Sequence, residues 1–336
     1  MRKLIVAAAV AAVALTSCSA EVRDSGAGGG QDHGTIKLAV VPKAIGFDFW
    51  ESVRLGAECA GSKLDGVDIQ WDGVTQETDV SGQQNLLQNL VTQGVDGLVY
   101  AATDAKVLSA VTGLALDAGV TVVNIDSGTD PQPAQVPVYA TDNVAAAELA
   151  TRHLAKELGG QGEVAFIAFQ PGTATNDTRT EGFMKGLRAN PGLRLVAQQS
   201  SDSDYNQALQ VTQDILTAHP GLKGIYAANE PSVLGAAEAV RQAGRAGQVK
   251  IVGWDTASEE ISGVRDGVIS AVVAQNPFRM GYDGVNAAVD KIRHGKPAAG
   301  TDTGAVLITR DNVDAPDVRA LLKPSCENPP RVGPGS

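Results

Sequence analysis

Residues 97–126 read GLVYAATDAKVLSAVTGLALDAGVTVVNID. The apolar run GLVYAA (97–102) is followed by LSAVTGLALDAG (108–119), whose apolar residues recur at helical spacing, and then by a second apolar run, VTVVNID (120–126). Strand, helix and strand in so short a compass form one unit of a parallel sheet, since helices of about 10–15 residues between strands mark parallel crossovers. Working outward, IKLAVV (36–41), VDIQWDG (67–73) and VPVYATD (136–142) read as further strands. WESVRLGAECAGSKL (50–64) and VSGQQNLLQNLVTQG (80–94) read as helices. In the second of these Leu86, Leu87, Leu90 and Val91 share a face, and Gly94 ends the helix.

The same alternation then starts again. GEVAFIAF (162–169), LRLVAQQS (193–200), GIYAAN (224–229), KIVGWD (250–255) and ISAVVAQ (269–275) are strands, with helices beginning near Thr178, Asn206, Ser232 and Ser258. Two α/β halves in series predict two similar doubly wound lobes and not one sheet of ten strands. No sequence repeat accompanies them, so what repeats is architecture. A further helix (278–295), a strand, GAVLIT (304–309), and DNVDAPDVRALL (311–322) follow, with a Pro-rich tail expected to hold little regular structure.

With 43% hydrophobic and 19% charged residues among 336, the chain has enough apolar material for a packed core. Its formal net charge of −11 argues against a nucleic-acid partner, because phosphate binding needs a basic face. At the N-terminus Arg2 and Lys3 precede an apolar run from Leu4 to Leu15, then Thr16, Ser17 and Cys18. This is the pattern of a secretory signal, too short for an ordinary membrane span. Leu15-Thr16-Ser17-Cys18 resembles a bacterial lipobox, which makes residues 1–17 a lipoprotein signal peptide and Cys18 the lipidated N-terminus. SAEVRDSGAGGGQDHG then reads as a flexible tether, with Cys18 spanning 18–34. The expected location is extracytoplasmic, anchored by lipid to the cell membrane. In that oxidising setting Cys59 and Cys326 are expected to pair, tying the C-terminal tail to the first helix.

Ligands of open α/β sheets bind beyond the carboxyl ends of the strands. Phe47, Phe49 and Trp50 cluster after the first strand of a chain that is only 4% aromatic. Asp126-Ser127 follow the fourth strand, and in the second half the strand ends carry Asn229-Glu230, Trp254-Asp255 and Gln275. Rings beside carboxylates and amides suit a polyhydroxylated ligand, the rings covering C–H faces and the polar groups meeting hydroxyls. Taken singly, Asp126 or Asp255 reads as a helix cap, Asn229 as a turn residue and Phe49-Trp50 as a staple onto the sheet. Their shared topological place in both halves favours a site. Nothing in the sequence proposes catalysis: His33, His153, His219 and His294 lack metal-ligand spacing, and neither a phosphate loop nor a GxSxG elbow occurs. No cofactor is expected.

FW followed by GAE (49–58), TQGVDGLVYAATD (92–104), VVNID (122–126), ATDN (140–143), RTEGF (179–183), LTAHP (216–220), AANE (227–230), VGWD (252–255) and AQNPFRMGYDG (274–284) carry a resemblance over residues 35–310. The chain resembles the type I periplasmic sugar-binding proteins of ABC importers, the group of ribose-binding protein. The resemblance implies an N-terminal lobe of 35–141 and 277–303, a C-terminal lobe of 142–276 and 304–325, a tail of 326–336, and three crossings near Thr141–Asn143, Gln275–Pro277 and Thr303–Ala305. It implies Phe49 and Trp50 on one sugar face, Trp254 on the other, and hydroxyls bonded to Asp126, Asn229, Asp255 and Gln275. Two positions depart from the group: Asp177 stands where an Arg is expected, and Ser203 where a Phe is expected. Both are candidate ligand contacts, and they shift the expected ligand from ribose towards another sugar, a sugar alcohol or an amino sugar. Arg179 reads as a brace for its loop. The implied partners are a small sugar or polyol, the permease's transmembrane subunits and the membrane through the lipid anchor, with the protein a monomer. The second reading is a ligand sensor, for a sugar or an autoinducer, serving a signalling partner. A repressor-type effector domain would need a helix-turn-helix where the signal and tether stand.

Overall fold

The computed structural model describes residues 34–330; the expected leader, Cys18 and nearly all of the tether lie outside the described residues. Two six-stranded sheets form the core of the two lobes. The first holds β1 (Ile36–Val41), β2 (Val67–Trp71), β3 (Gly97–Tyr100), β4 (Thr121–Ile125), β5 (Val138–Ala140) and β11 (Thr301–Asp302), in the order β11-β5-β4-β3-β1-β2. The second holds β6 (Gly162–Ala168), β7 (Leu193–Ser200), β8 (Leu222–Ala227), β9 (Lys250–Trp254), β10 (Ala271–Gln275) and β12 (Ala305–Thr309), in the order β12-β10-β9-β8-β6-β7. The two orders are the same pattern. Every pairing is parallel except β10 with β12.

Helices cover both faces of each sheet, so the strands are apolar on both sides. The first lobe carries α1 (Asp48–Ser62), α2 (Val80–Thr92), α3 (Ala105–Asp117) and α9 (Pro277–His294). The second carries α4 (Asn143–Glu157), α5 (Ala174–Ala189), α6 (Tyr205–Ala218), α7 (Glu230–Gln242), α8 (Ser258–Asp266) and α10 (Pro316–Leu322). Each sheet has a core cluster on either face. One in the first lobe joins Val53, Ala57 and Val285 to Val40 and Val123. One in the second joins Ala236, Val240 and Leu321 to Ile225 and Ile251. The chain passes between sheets after β5, after β10 and between β11 and β12.

Three details differ from expectation. Helix α5 begins at Ala174, earlier than Thr178, because Thr173 caps it by accepting a bond from the Asn176 N–H at 3.2 Å. Residues 301–302 add a short edge strand to the first sheet, and 316–322 form a helix started by Pro316. Cys59 on α1 and Cys326 in the tail are bonded, with Cα atoms 5.5 Å apart.

Helices α1 and α9 approach closely because glycines stand where they touch. A Cβ on Gly281 would collide with the Val53 carbonyl and lie 2.9 Å from the Ala57 nitrogen; one on Gly56 would collide with the Phe278 carbonyl. Backbone cannot swing aside as a side chain can. Gly281→Ala is therefore expected to destabilise the fold by about 1–3 kcal/mol through overpacking. Gly113→Ala on α3, where a Cβ meets nothing within 4 Å, should leave stability unchanged or raise it. Urea denaturation of both variants beside the parent protein checks the pair.

Candidate functional site

The carboxyl ends of the strands in the two sheets face each other across a small cavity. From the first lobe Lys43, Phe47, Phe49, Trp50, Glu77 and Asp126 line it; from the second Phe169, Arg179, Asn229, Glu230, Pro231, Asp255 and Gln275. Two of these acids stand in strained backbone. Asp126 ends β4 at φ 55° and Asp255 ends β9 at φ 79°. The left-handed region is tolerated better by Asp than by most residues, and such outliers collect at ligand sites. Here the turn holds each carboxylate at the cavity.

Lys43 Nζ lies 3.0 Å from Asp126 Oδ2, an ion pair almost wholly withdrawn from solvent. The same ammonium donates to Thr175 Oγ1 of the opposite lobe at 3.1 Å, and sits 5.7 Å from the Trp50 ring centre and 5.1 Å from that of Phe169. The Arg179 guanidinium lies 5.4 Å from the Phe169 centroid and 3.7 Å from that of Trp254. Its Nε donates to Asn143 Oδ1 at 2.8 Å and its Nη1 to the Ala228 carbonyl at 2.6 Å. Cations and rings thus alternate from one lobe to the other.

Asp255 links hinge and cleft. Its Oδ1 accepts from Gln275 Nε2 at 2.6 Å, and Gln275 Oε1 accepts from Thr141 Oγ1 at 2.9 Å, so two of the interlobe crossings are bonded to one another and to the site. Its Oδ2 accepts the Glu230 N–H at 3.0 Å. The Glu230 carboxylate then reaches the other lobe and accepts the backbone N–H groups of Asp48 and Phe49, at 3.4 and 3.2 Å, at the start of α1. Ser203 Oγ donates to Glu77 Oε2 at 2.6 Å, also across the cleft, and accepts from Asn229 Nδ2 at 3.0 Å. Burial pushes Glu230 up to about 7, with Asp255 adding to the effect. Burial also raises Asp255, against the pull of Arg179 and of the bond from Gln275. Among the described residues no group of three or more His, Cys, Asp or Glu side chains is placed to hold a metal.

Of the expected contacts, Phe47, Phe49, Trp50, Asp126, Asn229, Glu230, Asp255 and Gln275 come together at the cavity. Four do not line it. Trp254 is fully buried, its Nε1 donating to Tyr226 Oη at 2.6 Å and its face covered by Arg179. It is a platform for a cation, and Phe169 supplies the second lobe's ring at the cavity instead. Ser127 is sealed in the interior, its carbonyl accepting from the Ala102 N–H. Asp177 points to solvent in the first turn of α5, because helical spacing turns Asn176 and Arg179 inward. Ser203 bridges Glu77 and Asn229 at the edge of the cavity. Lys43, Glu77, Phe169 and Pro231 were not anticipated, and Arg179 both braces its loop and faces the cavity. Lys43 and Phe169 stand just past the ends of their strands, the same signal that marked the others.

A family model described as a periplasmic binding protein domain matches residues 38–297. The chain is 34% identical to a D-ribose/D-allose-binding protein of Pseudomonas aeruginosa, over 91% of this chain and 97% of the relative. It is 32% identical to the D-allose-binding periplasmic protein of Escherichia coli, over 77% of this chain and 86% of the relative. A crystal structure of an ABC transporter solute-binding protein from Agrobacterium vitis with bound D-fucose superposes with a TM-score of 0.82 at 32% identity, covering 85% of this chain and all (100%) of that one.

Glu230 makes stability pH-dependent. Since folding raises its affinity for a proton, its contribution is fully present below its unfolded value of about 4.5 and is lost as pH rises through about 7. The contribution at stake is about 3 kcal/mol. Glu230→Gln is expected to flatten the change in unfolding free energy between pH 5 and pH 8, measured by urea denaturation at both. An unaltered pH dependence would contradict this assignment.

Proposed function

The chain belongs to the periplasmic binding protein family, in its type I sugar-binding group, and on that premise we propose that it is an extracytoplasmic receptor that closes on a small polyhydroxy solute, a sugar or sugar alcohol, and delivers it to an ABC permease. The family consists of solute-binding proteins and not enzymes. One observation carries the reading: a cavity between two lobes, walled by rings from both and by charged and amide groups. Such a lining suits a monosaccharide or a polyol of similar size.

In this reading the C–H faces of the ligand lie against Phe49, Trp50 and Phe169. Lys43 and Arg179 donate to ligand oxygens, and Glu77, Asp126 and Asp255 accept from hydroxyls. The ligands named for relatives, D-ribose, D-allose and D-fucose, are all neutral monosaccharides and support the class. Closure would bring Glu230 onto the start of α1, so the loaded form presents a surface the open form lacks. A diacylglycerol on Cys18 would hold the monomeric receptor at the membrane surface, beside its permease.

A thermal-shift screen of the mature protein, stripped of ligand, against pentoses, hexoses, sugar alcohols and amino sugars tests the proposal. A ligand at about 1,000 times its Kd stabilises by about 4 kcal/mol. For a chain of this size, with an unfolding entropy of about 2 cal/mol/K per residue, that raises Tm by about 6 °C. Phe169→Ala, which removes a ring worth about 1.5–3 kcal/mol when buried, should weaken the responding ligand about ten- to hundredfold. A folded, stripped sample that responds to none of the four classes would reject the sugar reading.

A further inference from the structure

The disulfide joins the two lobes beside the Gln275–Pro277 crossing, whose Asn276 side chain donates to the Pro330 carbonyl of the same tail at 3.4 Å. After β12 the chain stays with the second lobe: Val313, Val318 and Leu321 are buried in its core beside Ile225 and Ile251, and Leu322 packs on the same cluster. Cys59 belongs to the first lobe, on α1, whose Val53, Ala57 and Ala60 are buried against Val123 and Ile125. Between the two attachments lie only Lys323, Pro324 and Ser325. Four residue steps reach at most about 14 Å. Lys63 Nζ adds a bond to the Cys326 carbonyl at 3.2 Å on the first-lobe side.

Beneath this strap lies a second cavity of about 200 Å³ between the lobes. Asp48 and Ser52 of α1 form one wall, Leu321 and Leu322 another, with Thr256 of the second lobe and Pro277 of a crossing closing it. Asp48 is also the residue whose N–H is held by Glu230 across the cleft. Asp48 thus faces both Glu230 and the tail's Leu321 and Leu322, so a movement of α1 away from the second lobe would draw on the strap.

We propose that the segment from Leu322 to Cys326, fixed to α1 by the disulfide, is a tether that limits how far the lobes separate and so favours the closed form. It rests on the reading of the lobes as a closing receptor, but its test needs no ligand. Amide hydrogen exchange of the ligand-free protein is followed for the parent and for the Cys59→Ser, Cys326→Ser double variant. The parent treated with a phosphine reductant serves as a second route to the cut bond. The Phe49 N–H is held by Glu230, and the Ala105 N–H by the Gly172 carbonyl at 2.9 Å, both across the cleft. Ala105 begins α3, which packs on the opposite face of the first sheet from α1, so fraying of the tail alone leaves it untouched.

Cutting the bond is expected to speed exchange at both amides about fivefold or more, a typical size for coupling between sites, with the strand amides of Val99 and Ile225 unchanged. Unchanged exchange at Ala105 and Phe49 overturns the proposal. Equal acceleration at Val99 and Ile225 also overturns it, because the disulfide would then act on global stability alone. A protein that tests positive here and binds no sugar would retain the tether and lose the sugar reading.

Discussion

The Asp255 carboxylate is the point on which the arrangement depends. It is buried at the end of a central strand, on backbone held at φ 79°. Its two oxygens are spent in two directions, one on Gln275 at the hinge and one on the first N–H of α7. A buried carboxylate left without donors costs several kcal/mol, so these bonds fix where the hinge residue and the helix start must lie. Helix α7 then presents Glu230 to α1 of the other lobe. Hinge, cavity and cleft contact are therefore one hydrogen-bonded chain, and lobe closure is read directly at the site.

Charge in the cavity is balanced by packing as much as by pairing. Glu77, Asp126, Glu230 and Asp255 face Lys43 and Arg179 in a small volume. Burial pushes Glu230 and Asp255 upward, which lowers the cost of gathering the acids. Both cations are held by fixed acceptors: Lys43 by Asp126, and Arg179 by Asn143 and the Ala228 carbonyl. Sandwiched between Trp50, Phe169 and Trp254, they keep their positions and expose their remaining donors. A polyhydroxy ligand needs such preorganised donors and acceptors, because any that it leaves unmatched in a dry cavity costs affinity.

The tail adds a different kind of constraint. A covalent link beside the hinge adds a fourth covalent connection between the lobes and restricts how far they turn apart. The bond between Cys59 and Cys326 has that placement, joining residues 267 apart in sequence.

The sequence by itself determined the two-lobed α/β fold, the repetition of one architecture and the place of the candidate site at the strand ends. These follow from local alternation of strand and helix and from the topology of parallel sheets. Most of the lining was legible for that reason: Phe49, Trp50, Asp126 and Asp255 stand where strands stop. Only the tertiary structure decided which side chain at each strand end turns to the cleft. Trp254 and Asp255 are neighbours, yet the indole points into the core and the carboxylate to the cavity, because the pleat alternates and the left-handed turn at Asp255 comes between them. It also decided the bonds across the cleft, Lys43 with Thr175, Glu77 with Ser203 and Asp48 with Glu230, whose partners lie 132, 126 and 182 residues apart. Local pattern carries no information on pairs so distant; they arise when two separately folded lobes close on each other.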